Sequence, residues 1–139
     1  GMLQRAGLPP PPPPSIAIAL LEGQDSVEAA YTGDDGPDGV LPDDPVLHAC
    51  VVTYASDMTL LDTTLLPFGL DWDTPGMQMA SVDHAMWFHR PFRADDWLLY
   101  AQSAVSTSSA RGMAQGSIFT SDGRLAVSVV QEGLTRLTS

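Results

Sequence analysis

The chain has 139 residues, 44% of them hydrophobic, and a formal net charge of −11 with no lysine. That length suits one domain with a core of its own, and no apolar run approaches the ~20 residues that cross a bilayer. The excess of acid argues against nucleic acid and against an anionic membrane as partners, because both need a basic surface.

The six basic residues are all arginine and are unevenly placed. Between Ala6 and His89 stand thirteen acids and no Lys or Arg, whereas from Arg90 onward five arginines face four acids. An anionic ligand therefore has cations to meet only in the C-terminal third. One cysteine, Cys50, leaves no intrachain disulfide and no cysteine-based zinc site, so a reducing, cytoplasmic setting is the simplest expectation.

Taken in chain order, Pro9 to Pro14 is an unbroken run of six prolines, which favours a stiff, solvated polyproline II segment. It reads as a linker or cap rather than as a ligand for a proline-binding partner. Ile16 to Leu21 predicts a short strand. Glu22 to Asp44 is rich in Gly and Asp, carries eight acids and reads as loop. We accordingly divide the chain into a Pro-rich, acidic segment over residues 1–41 and a folded domain over residues 42–139.

Asp44-Pro45 predicts a helix start, since Asp is a favoured N-cap and Pro is tolerated at the first helical position. Leu47, Cys50, Val51, Tyr54 and Met58 follow at spacings of three and four and predict one apolar face. The helix is expected to kink or break near Asp57 and to stop at Pro67 and Gly69. Beyond it the pattern turns to strands: Met77 to Phe88, Trp97 to Ser109, Gly112 to Thr120 and Leu125 to Leu134. The last two are joined by Ser121-Asp122-Gly123-Arg124, whose Asp-Gly pair is a hairpin signal. One helix followed by antiparallel strands is an α+β order, not a doubly wound sheet.

Common catalytic signatures are absent: there is no phosphate-binding glycine loop, no Gly-x-Ser-x-Gly elbow and no His-Glu-x-x-His. His84 and His89 lie five apart on a strand and so on opposite faces, which suits hydrogen-bonding roles and not a shared metal. Three polar residues fall at apolar positions. Asp57 lies on or beside the helix face, where a carboxylate needs a partner and where the helix dipole opposes it. Either it has a function or it is a solvated end residue or cap. Gln131 continues the face of Leu125, Val127 and Val129, so its amide needs partners of its own or marks a strand end. Ser81 shares a face with Met77, Met79 and Asp83 and alone carries no signal.

The stretch from Ser81 to Phe92, SVDHAMWFHRPF, resembles the signature of the acyl-CoA thioesterase II family. So do Trp97 to Tyr100, Ser108 to Gly112, Val130 to Gly133 and, upstream, Tyr54 to Asp57. These blocks fall in the family's order and cover about Pro42 to Arg136. The resemblance implies a hot-dog fold, an antiparallel sheet wrapped around a long central α-helix, and matches the second of the family's two tandem halves. It also implies a catalytic trio of Asp57, Ser81 and Gln131, with serine where relatives often carry threonine.

The expected activity is hydrolysis of fatty acyl-CoA to fatty acid and CoA by water that Asp57 activates, with no cofactor and no metal. Arg90, Arg93 and Arg111 are contacts to consider for the CoA phosphates. Because the resemblance covers one half, a homodimer is expected to take the place of the tandem pair. Two other readings stand beside this one. A non-catalytic acyl-CoA-binding or assembly module would need a partner half. A hydratase acting on enoyl-CoA is the weakest reading, because no Asp-His pair has the spacing that activity uses.

Overall fold

A computed structural model describes residues 41–138 and the backbone of two short strands before them. Those strands are β1 (Ala17–Leu21) and β2 (Val27–Tyr31), an antiparallel pair that meets the main body where β2 contacts β4. Strand β1 falls where Ile16 to Leu21 predicts it. Strand β2 corrects the expectation of loop throughout 22–44. Its five residues include one acid, and the Gly- and Asp-rich stretch around them hid a segment that β1 can pair. The proline run lies outside the described residues.

The main body is one helix, α1 (Pro45–Ser56), on a four-stranded antiparallel sheet. The strands are β3 (Met77–Phe88), β4 (Leu98–Ser108), β5 (Arg111–Thr120) and β6 (Leu125–Leu137), in the order β3-β6-β5-β4. This is the α+β, hot-dog arrangement expected. Among the described residues no helix is long and apolar enough to cross a membrane.

Asp44 caps α1 as anticipated: its Oδ1 accepts from the Val46 amide at 2.9 Å, and Pro45 takes the first helical position. The α-helix ends at Ser56 with Asp57 as its C-cap, so the predicted break is real. Two 3₁₀ turns, Leu61–Thr64 and Leu66–Phe68, carry the chain on to Gly69, whose φ of 66° closes the segment in the left-handed region.

The buried face of α1 is not the one predicted. His48, Val52 and Ser56, spaced by four, face the sheet, while Cys50 is exposed and Tyr54 keeps 74% of its surface. The helix is apolar on several sides, so hydrophobicity alone does not choose one. Two of the inward positions are polar residues held by hydrogen bonds inside: His48 Nδ1 accepts from the Ala94 amide at 3.0 Å, while its buried Nε2 has no partner among the described residues, and the Ser56 hydroxyl donates to Thr53 O at 2.9 Å. Between helix and sheet, Val52, Leu60, Leu98, Ile118, Val127 and Val129 form the centre of the core.

The entry to α1 is tied to the connection between β3 and β4 by a charged clamp. Arg93 donates to Asp95 twice, at 2.9 and 2.8 Å, to Leu41 O at 2.9 Å and to Asp43 at 3.1 Å, and Asp95 also accepts from the Leu41 amide at 2.8 Å. The Asp95 side chain is only 5% exposed. Its hydrogen bonds from Arg93 hold its carboxyl below the usual carboxylate range. A depressed folded-state pKa adds stability that is complete above the ordinary Asp value near 3.9 and is lost as pH falls through the folded value. Asp95→Ala is therefore expected to destabilise the fold by about 2 kcal/mol at neutral pH. In urea melts the gap from wild type should begin to narrow below about pH 4, where the unfolded chain takes up the proton, and close as pH falls through the lower folded value.

Candidate active site

The candidate site forms where the end of α1 meets the middle of β3 and β6. Gln131 comes from β6, on the face of Val127 and Val129, and is 1% exposed. Ser81 comes from β3 and lies opposite Gly133, so it shares that inner face. Asp57 is supplied by the helix C-cap and is exposed.

All three predicted residues come together. Gln131 Nε2 donates to Asp57 Oδ1 in a short hydrogen bond and to Ser81 Oγ at 2.7 Å. Ser81 Oγ in turn donates to Asp57 Oδ1 at 3.2 Å. The proton count closes: two amide hydrogens and one hydroxyl hydrogen serve three bonds. Asp57 keeps Oδ2 without a partner among the described residues, and the buried Oε1 of Gln131 is likewise unpaired. A carboxylate with one oxygen anchored and one available can accept a proton from a bound molecule.

A β-bulge shapes this site. Ser81 pairs with Gly133 but Asp83 pairs with Glu132, so Val82 is the extra residue and the strand reverses its faces there. Ser81 and Asp83 consequently do not share a face, contrary to the alternation expected from the sequence. The same bulge brings His84, opposite Gln131, to the inner side, where its Nε2 lies 3.2 Å from Ser56 Oγ. His89 lies on the outer side against Ser128 at 2.9 Å. Gly133 has no room for a side chain: a Cβ there would stand 2.3 Å from Leu61 and 2.9 Å from Ala80 O. Close approach of the 3₁₀ turn to the sheet beside Ser81 thus requires glycine.

Sequence reasoning missed the approach of His84 to Ser56, because nothing in Ser81-Val82-Asp83-His84 marks a bulge. It also missed Gln102, 1% exposed on β4, whose Nε2 donates to Thr59 Oγ1 at 2.7 Å two residues past Asp57. The three arginines considered for phosphate are engaged locally. Arg90 donates to Leu125 O, Arg93 belongs to the clamp and Arg111 pairs with Glu132. A cleft of about 890 Å³ lies at the opposite end of α1, beside Pro45, His48, Phe88, Phe92 and Arg124, and contains none of the trio. No cluster of three His, Cys, Asp or Glu suited to a metal occurs among the described residues.

Comparison with known proteins places the chain. The profile of the acyl-CoA thioesterase family matches residues 22–134. Human acyl-coenzyme A thioesterase 8 is 44% identical over 94 residues, 68% of this chain and 29% of that protein. Acyl-CoA thioesterase 2 of Haemophilus influenzae is 39% identical over 100 residues, 72% of this chain and 35% of that protein. Among solved structures, acyl-CoA thioesterase II TesB2 from Mycobacterium marinum superposes with a TM-score of 0.77 at 37% identity, covering 95% of this chain and 56% of that one. The match spans about a third of each of these two curated relatives. By profile, sequence and fold together, the chain belongs to the acyl-CoA thioesterase family.

Proposed function

We propose that this chain hydrolyses fatty acyl-CoA to free fatty acid and CoA, with Asp57 as the general base. The observation that carries the reading is the closed hydrogen-bond set of Asp57, Ser81 and Gln131 in a member of this family. Water approaches the thioester carbonyl and gives a proton to Asp57 Oδ2 as its oxygen bonds to carbon. Gln131 and Ser81 hold Oδ1, and with it the orientation of the carboxylate. A backbone amide stabilises the oxyanion, which collapses to the carboxylic acid and expels the CoA thiolate. Ser81 is the poorer nucleophile, because its oxygen already accepts from Gln131 and so has one lone pair engaged. The acyl chain lies along α1.

A homodimer fits the same reading. Val46 and Tyr54 on α1 keep 69 and 74% of their surface, Met58 just past its end keeps 49%, and Trp87 on β3 keeps 51%. Strand β3 is an edge of the sheet, twelve residues long, with one unpaired side among the described residues. Edges of that length are normally covered in soluble proteins, and a second copy related by a two-fold axis covers both. We place the protein in the cytoplasm, since its one cysteine is exposed and free, as a reducing compartment allows.

Thiol release from acyl-CoAs of increasing chain length tests the activity. Asp57→Asn is expected to lower kcat by about 10²-fold or more while the melting temperature holds. Wild-type rates in that variant would remove Asp57 as the base, and no release from any substrate would favour a binding or assembly module. Sedimentation velocity is expected to give the dimer mass at micromolar protein; a monomer there contradicts the two-fold partner.

A further inference from the structure

One titratable group beside the trio has no part in the chemistry above. His84 lies opposite Gln131 in the β3–β6 register, and its Nε2 is 3.2 Å from the hydroxyl of Ser56, the residue before Asp57. The pair looks like a serine nucleophile with its base, but the surroundings of Ser56 exclude that role. Ser56 is 1% exposed, and its single hydroxyl proton goes to Thr53 O at 2.9 Å, a closer and stronger acceptor than the Met86 sulfur at 3.5 Å. With that proton used, Ser56 Oγ has only lone pairs for His84. The imidazole must therefore donate from Nε2–H.

Ser56 is held from a second side as well. The Tyr100 hydroxyl donates to its carbonyl oxygen at 3.0 Å. Side chain and main chain of this one residue are thus each fixed by the sheet, at the point where the α-helix ends and Asp57 begins. The bulge at Val82 explains how β3 does both tasks. Without the extra residue, Ser81 and His84, three apart, would face opposite ways. With it, Ser81 reaches Asp57 and His84 reaches Ser56, two neighbours on the helix end held by two residues flanking the bulge.

Resting on the thioesterase reading of this site, we infer that His84 is a positioning residue: its Nε2–H holds Ser56, and through Ser56 it aims the Asp57 carboxylate. Small errors in such aim cost rate more than affinity, because substrate binding does not depend on the orientation of the base. Glutamine at this position carries an amide donor at about the reach of Nε2, whereas leucine fills the space without a donor.

The test compares wild type, Asp57→Asn, His84→Leu and His84→Gln in thiol release from acyl-CoA, with thermal melts alongside. His84→Leu is expected to lower kcat at least about tenfold with KM within about twofold, and His84→Gln to stay within about threefold of wild type. If His84→Leu does not fold, Ser56→Ala, which removes the acceptor, takes its place with the same expected loss. The second readout needs no activity. In long-range ¹⁵N–¹H spectra at about pH 8, above the ordinary imidazole range, His84 should carry its proton on Nε2. The Asp57 amide signal should move in His84→Leu and stay in His84→Gln. A proton on Nδ1, a wild-type rate in His84→Leu, or a His84→Gln as slow as His84→Leu overturns the inference. A wild type without Asp57-dependent hydrolysis defeats the thioesterase reading alone, and the spectra then decide the positioning role.

Discussion

A carboxylate at the C-terminus of a helix meets the negative end of the macrodipole, and Asp57 stands at that end. Nothing in its own helix can offset this, because the last turn carries no basic residue. The donors come from the sheet instead: the amide of Gln131 and the hydroxyl of Ser81, both on Oδ1. The rest of the site depends on that contact. It anchors the helix end to β6, orients the carboxylate and leaves its second oxygen without a partner among the described residues, as the proposed role of base requires.

Holding that contact constrains the fold around it. Gln131 has to reach up from a floor made of Val127 and Val129, which places an amide where the core would otherwise be apolar. Its desolvation is offset on the donor side by two hydrogen bonds, each to a group that itself takes part in the site. The 3₁₀ turn after the helix packs onto β6 at a glycine, and β3 accepts a bulge so that Ser81 and His84 both turn inward. Far from the trio, the Arg93–Asp95 clamp fixes the opposite end of α1 to the β3–β4 connection. The helix is therefore held at both ends by polar contacts and along its middle by Val52.

Much of this was legible in the sequence. Asp44-Pro45 marked the helix start, Asp122-Gly123 marked the hairpin, and period two placed Gln131 on the inner face. Asp57 and Gln131 stand out as polar residues at apolar positions, whereas Ser81 carries no signal by itself and is joined to them only by the family resemblance. The inward face of α1 was misplaced, because His48 and Ser56 are buried by virtue of hydrogen bonds that hydrophobicity does not record. The bulge at Val82 escaped notice for a similar reason: two-residue alternation carries no mark of an inserted residue. Strand β2 was lost because pairing with β1, and not the composition of residues 22–44, decides its conformation.

The proposed catalysis requires Asp57 and Gln131 to act as one unit, and a double-mutant cycle on kcat measures that most directly. Single-turnover hydrolysis of one acyl-CoA would be followed in wild type, Asp57→Asn, Gln131→Ala and the double variant. If the amide works by holding the carboxylate, the double variant should be within about threefold of Asp57→Asn, since the second loss removes support for a base already gone. Losses that multiply across the two sites would contradict the account and give Gln131 a role independent of Asp57.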